Sequence, residues 1–180
     1  MRSVAFPGST ERKQDTRDAQ KVLRRLARKL RPMGFERTKP TYFIRPRPLI
    51  AEFVHVHKYS FAPAFRVHFG IRVRNDDFDS AALNGPHFSH RVDPESPGLF
   101  SGLEFTPDIE SIEACANDLA RLVASDGIRW FDSHCNPDVL LSPTLLSPLT
   151  PSAIAGLARA LVNPAEVVTS PATRAVLNVA

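Results

Sequence analysis

The chain has 180 residues, 43% of them hydrophobic and 23% charged, with a formal net charge of +4. That is enough apolar material for one domain to bury about 70% of its unfolded surface without a disulfide or a metal, and too much for a disordered chain. Cys115 and Cys135 are too few for a disulfide framework, residues 1–10 lack the apolar core of a secretory signal, and no apolar run approaches the roughly 18 residues of a membrane span, so the sequence points to a cytoplasmic protein with no membrane partner.

Residues 1–9 read as a lead, after which Thr10 or Asp15 can cap a helix running to about Met33. Its apolar set, Ala19, Val22, Leu23, Leu26, Ala27 and Leu30, falls on one helical stripe, while Arg17, Lys21, Arg24, Arg25 and Arg28 fill the opposite side. Pro32 and Gly34 then stop the helix. This helix carries much of a charge asymmetry: residues 1–47 hold fourteen Lys or Arg against four acids, and the remainder nine against fifteen, so the first quarter is +10 and the rest −6. Such a split marks either a surface for nucleic acid, anionic lipid or an acidic protein, or internal complementarity between a basic and an acidic helix, which is the commoner meaning.

Three strands are predicted next, over 35–45, 49–59 and 64–74. The third alternates most cleanly: Phe65, Val67, Phe69, Ile71 and Val73 point one way, and Arg66, His68, Arg72 and Arg74 the other. Pro40, Pro46 and Pro48 make the first an edge strand, and the short link at 60–63 makes the second and third antiparallel neighbours. Residues 75–98 read as a long loop with a short strand over 88–92, and another strand is predicted over 99–105. From Thr106 onward, Thr106-Pro107, Asn136-Pro137, Thr150-Pro151, Asn163-Pro164 and Ser170-Pro171 each place a capping side chain before a proline suited to the first helical position. They predict a helix over 107–125 that buries Ile109, Ile112, Ala116, Leu119 and Val123, a second over 151–162, and a short last one that packs on the body or on a second copy of the chain as a homodimer.

The sharpest chemical constellation is His55, His57 and His68. With Tyr59 opposite Ala64 in the hairpin, His57 faces Arg66 and His55 faces His68, all on the side away from Phe65, Val67 and Phe69. Three imidazoles on two strands have the composition of a zinc site with an open position, although Arg66 places a fixed positive charge beside it. The alternative is a polar sheet face that binds a small anion or nothing. Asp76, Asp77 and Asp79 lack the glycine and glutamate of a calcium loop, and His134-Cys135 are sequence neighbours whose side chains diverge. The chain has no G-x-S-x-G, Walker A, G-x-G-x-x-G or H-E-x-x-H motif. Trp130-Phe131 reads either as an exposed anchor for a partner or, the commoner use of such a pair, as the closure of a core between helix and sheet. The basic helix face carries no aromatic residues, so nucleic acid is expected to bind it only nonspecifically and at low salt.

Leu30-Arg31-Pro32-Met33-Gly34-Phe35, Thr41-Tyr42-Phe43-Ile44-Arg45, Ile50-Ala51-Glu52-Phe53-Val54, Phe69-Gly70-Ile71 and Gly127-Ile128-Arg129-Trp130-Phe131 together resemble a bacterial domain-of-unknown-function family, number four-three-zero-four, over about residues 15–140. Glu52-Phe53-Val54 stands where that family has a polar strand end, and the proline-rich tail after Ser142 has no counterpart in it. The resemblance implies an α+β fold and a role in toxin neutralisation, and it transfers no catalytic residue. A basic protein is not the usual inhibitor of a nuclease, whose own surface is commonly basic.

These readings converge on one α+β domain over 1–180, with a core over 15–140 and a helical extension over 141–180. Helices cover one face of a four- or five-stranded, mainly antiparallel sheet. The expected function is non-enzymatic binding, antitoxin-like in one version, with Phe53, His55, His57, Arg66, His68 and Arg72 on the open face presented to a protein or a small anionic ligand, and no cofactor. The rival is a metal-dependent hydrolase with zinc on His55, His57 and His68.

Overall fold

The structure is a computed structural model that describes residues 9–88, 90–92, 100–141, 149–164 and 167–179. It opens on a 21-residue helix, α1 (Thr10–Leu30), started one residue earlier than expected by the Ser9 hydroxyl, which accepts the Arg12 amide. The stripe buried along α1 is the predicted one, Ala19, Val22, Leu23, Leu26 and Leu30, with Ala27 partly buried against it. After a 3-10 turn, Arg31–Met33, Gly34 adopts φ 84°, the left-handed cap geometry that glycine enters without a Cβ clash.

The strand expected over 35–45 is two strands, β1 (Glu36–Lys39) and β2 (Tyr42–Pro46), folded back on each other. Pro40 has no amide to give a ladder, and the Arg37 Nε closes the turn by donating to the Pro40 carbonyl at 3.1 Å. β3 (Ile50–Lys58) and β4 (Phe65–Val73) then form the expected hairpin. With β5 (His87–Phe88) added to β4, the sheet has five antiparallel strands in the order β1-β2-β3-β4-β5. β6 (His90–Val92) and β7 (Phe100–Gly102) pair with each other as a separate ribbon. The expected strand over 88–92 is thus divided between sheet and ribbon, and residue 89 and the end of the expected loop, 93–98, lie outside the described residues.

α2 (Ile109–Leu122) starts at Asp108, not at Thr106: an Asp108 carboxylate oxygen accepts the Ser111 amide at 2.7 Å, and the Thr106 hydroxyl donates to the same side chain. The buried stripe therefore begins a turn later, at Ile112, and Ile109 is 69% exposed. A π-helical turn, Val123–Gly127, leads into α3 (Ile128–His134), followed by α4 (Pro137–Leu140), α5 (Pro151–Val162) and α6 (Pro171–Leu177). Asn136, Thr150 and Ser170 cap the last three as expected. Asn163 instead ends α5, and the chain beyond Pro164 runs into residues 165–166, outside the described residues.

Beneath α1 and α2 the sheet contributes Ile50, Val54, Val56, Phe65, Val67, Phe69, Ile71 and Val73 to one core, closed by the buried Phe131 with Trp130 packed against it. Glu52 alternates into this core and is 0% exposed. Its carboxylate accepts from Arg45 Nε and, at 3.2 Å, from Arg47 Nε, and the Arg45 guanidinium lies 4.8 Å over the Phe35 ring. A buried carboxylate persists only with such partners. Between the helices, Glu113 of α2 pairs with Arg25 at 2.8 Å and Lys29 at 2.6 Å, so part of the amino-terminal basic excess is answered within the fold.

On the other face, α6 crosses the sheet. Leu177 packs with Ile44, Ala51 and Phe53, and Val176 and Val179 pack against that cluster. The hydroxyl of Thr38 donates to the Leu177 carbonyl at 2.5 Å and Asn178 Nδ2 to the Thr38 carbonyl at 2.7 Å, which covers part of the β1 edge. The Phe53 ring occupies the space over Gly70 on the neighbouring strand, and a Cβ there would stand 2.1 Å from Phe53 Cζ. Gly70→Ala is therefore expected to lower stability in urea unfolding by about 1–3 kcal/mol, and the loss should shrink when Phe53→Leu is added, because the two side chains then no longer compete for one space.

Candidate functional site

The hairpin register sets the site. His55 stands opposite His68, and His57 opposite Arg66, as the alternation requires. The neighbouring pairings extend the row: Tyr42 of β2 is opposite His55, and His87 of β5 is opposite His68. Four rings on four adjacent strands thus form one ladder, Tyr42, His55, His68, His87. Successive centroids are 4.4, 6.0 and 5.4 Å apart and the planes lie within 21–29° of each other. His57 meets His55 edge-on at 6.0 Å and Tyr59 at 6.3 Å. Arg66 lies 5.3 Å over the Tyr59 ring and donates from Nε to its hydroxyl at 3.1 Å. His57 and His87 are exposed, Tyr42, His55, Tyr59, Arg66 and His68 are half-buried, and Phe61 at the hairpin tip is 60% exposed.

Two residues expected on the open face are not available to a ligand. Phe53 is fully buried, because Leu177 of α6 covers it from above and Gly70 leaves room for its ring below. Arg72 is 3% exposed and serves as a clamp. Its Nε donates to the Thr173 hydroxyl at 2.6 Å, Nη1 to the Ser80 carbonyl at 2.7 Å, and Nη2 to the carbonyls of Asp76 and Phe78, while Asp76 supplies a carboxylate at 3.6 Å. The run of aspartates at 76–79 thus contributes an anchor for Arg72. With these donors committed to α6 and to the 76–80 loop, Arg72 holds the lid and does not face the solvent.

The electrostatics of the ladder are one-sided. The His55 ring is pushed down to about 4 from its ordinary 6.5, first by burial and then by the neighbouring His68 and His57. His68 is lowered by burial and by His87, Arg66 and His57, and burial raises the Tyr42 phenol. Every charge acting on these imidazoles belongs to a base. The rings stack side by side and do not converge, whereas zinc draws its imidazole nitrogens to about 2.0–2.1 Å from one point. Among the described residues, no group of three His, Cys, Asp or Glu side chains is placed to hold a metal ion.

Elsewhere, His134 turns toward Trp130, stacking on its ring at 4.9 Å with Nδ1 2.9 Å from the Trp130 carbonyl, while the Cys135 thiol donates to the Asp132 carbonyl. The Trp130 carbonyl can only accept, so in this contact Nδ1 is the donor. Although Ser133 Oγ is 2.8 Å away, the nitrogen is not free to act as its base. Beside α6 and away from the histidines, a cleft of about 360 Å³ runs over Ile44, Ala51 and Val179 between Glu36 and Arg74.

Tyr42, Tyr59 and His87 are the members of the site that sequence reasoning missed. His87 fell in a stretch read as loop, and Tyr42 became a neighbour of His55 only when the first predicted strand divided in two. No family model, no curated protein and no solved structure matches the chain, so its function has to be read from its own geometry. Among the described residues no helix is long and apolar enough to cross a membrane.

Because His55 is harder to protonate in the fold than in the unfolded chain, the unfolded state takes up the proton first as pH falls. Stability is then complete above about 6.5 and declines toward pH 4. The expected loss is on the order of 1–2 kcal/mol, discounted for the solvent the ring still meets. Urea unfolding across that window should show the slope, and His55→Phe should flatten it. Arg72→Met should cost on the order of 3 kcal/mol and speed amide exchange in α6, which loses its anchor at Thr173.

Proposed function

We propose that the chain is a non-enzymatic binding protein whose contact surface is the uncovered part of the second sheet face: Tyr42, His55, His57, Tyr59, Arg66, His68 and His87. The ladder and the three side chains beside it carry this reading, since together they put seven aromatic or basic side chains on one partly exposed patch beside the edge of α6. Histidines that merely decorated a strand would not need to be in register across β3, β4 and β5. The surroundings supply hydrogen-bond donors and bases, which suits an anionic group on a protein partner or on a small ligand. The antitoxin-like role implied by the family resemblance is one instance of such binding. A hydrolase on His55, His57 and His68 has less to support it, because stacked rings do not share a metal.

The reading is tested by reversing the patch. The full chain, the double variant His57→Glu with Arg66→Glu, and a control with Arg24→Glu on α1 would each be used to capture partners from cells that make the protein. Bound proteins and small molecules would be identified by mass spectrometry. A species retained by wild type and by the α1 control but lost with the patch variant is the expected result, provided circular dichroism shows the variant folded. Equal retention by all three would move the contact surface elsewhere.

A further inference from the structure

We propose that His55, His68 and His87, with Arg66 at the rim, form a row that binds a phosphate-type oxyanion and takes up protons as it does so. The proposal rests on the reading of this face as a contact surface and goes further, to the chemistry of what is bound and to its regulation.

Three observations carry it. The first is what the row presents. The imidazoles of β3, β4 and β5 lie side by side with neighbouring planes within 29° of each other, His87 exposed and His55 and His68 half-buried, so the row meets solvent along its length. His55 Nδ1 is buried without a hydrogen-bond partner. A buried N–H lacking an acceptor is less tolerable than a bare lone pair, so the neutral ring carries its proton on Nε2 and its other edge is a donor.

The second is spacing. Centroids 6.0 and 5.4 Å apart let hydrogen bonds of about 2.8 Å from two neighbouring edges meet on one tetrahedral anion. The third is the surrounding charge. β2 brings Tyr42, β3 brings His57 and, just beyond its end, Tyr59, β4 brings Arg66, and α6 and its tail bring the apolar Val176 and Val179. The charged groups that act on His55 and His68 are all bases: His57, His68, His87 and Arg66. Bases crowded together and partly buried resist protonation until a counter-charge arrives. An anion therefore binds together with the protons that His55 and His68 resist in its absence, and affinity rises as pH falls, by up to tenfold per pH unit for each proton taken up.

A single oxyanion fits better than an acidic protein surface. The donors lie in one row between the edge of α6 and β5, whereas a stable protein contact needs about 800 Å² on each side. The phosphate could be free or part of a larger molecule.

The test is an NMR titration of the full chain at about pH 7.5, 6.5 and 5.5, at constant ionic strength. The probes are sulfate, inorganic phosphate, O-phosphoserine and poly-glutamate, followed on the backbone amides and histidine rings. Sulfate keeps its charge over this range, so any pH dependence of its binding belongs to the protein. The expected result is saturable shifts at His55, His68 and His87, sulfate affinity at least about tenfold higher at the lowest pH than at the highest, and His68 protonating at higher pH when sulfate is present. His68→Gln should weaken binding and reduce the pH dependence, and His55→Gln with His68→Gln should reduce it further, while Arg24→Gln changes neither. O-phosphoserine binding more tightly than inorganic phosphate would place the phosphate on a larger ligand, and the reverse would favour the free ion. Shifts confined to α1, affinity independent of pH, or binding of poly-glutamate alone would overturn the proposal. If the anions fail while the patch variant still loses its captured partner, this proposal falls and the reading of the face stands.

Discussion

The pairing of β3 with β4 governs both sides of this protein. The register that sets Val54 opposite Phe69 and Val56 opposite Val67 under the helices also sets His55 opposite His68 on the far face, because successive side chains on a strand alternate. A slip of one residue would turn the histidines into the core and the valines into water. The apolar burial that stabilises the sheet therefore also keeps the imidazoles aligned, and the histidine face needs no separate device to hold it in place. Phe53 over Gly70 strengthens the same register, since its ring fits only where the facing residue has no side chain.

The extent of the open face is decided by α6. The seven-residue helix is held by the apolar cluster of Ile44, Ala51, Phe53 and Leu177, with Val176 and Val179 beside it, and by the polar contacts of Arg72. The Ser170 and Thr173 hydroxyls both donate to the Asp76 carbonyl, Thr173 also accepts from Arg72, and Ser170 caps the helix. These buried groups satisfy one another, which is the condition for a polar network to be stable away from water. The lid therefore lies at one position on the sheet, and the histidine row begins where it stops.

Charge follows the same division of labour. On the helical side, basic residues are met by acids, as with Glu113 between Arg25 and Lys29 and Glu52 between Arg45 and Arg47. On the histidine side, bases stand beside bases. Like charges placed together are unfavourable in an isolated fold, and at His55 and His68 burial and neighbouring bases together favour the neutral ring.

Much of this was legible in the amino-acid sequence, for a local reason. Alternation of period two over 64–74 and of helical period over 19–30 reports which side chains leave water, and the short hairpin link fixes the pairing, so the core and the facing of His55 and His68 follow from neighbouring residues alone. The roles of Phe53 and Arg72, the place of His87 in the row and the turn at Pro40 did not follow. Each depends on a segment distant in the chain or on a choice between turn and strand that local pattern leaves open: α6 arrives about a hundred residues after Arg72, and β5 joins the sheet through a loop without periodicity. Sequence by itself thus determined which side of each strand is dry. Only the tertiary structure decided how much of the other side remains wet, because that depends on where the carboxy-terminal helix comes to rest.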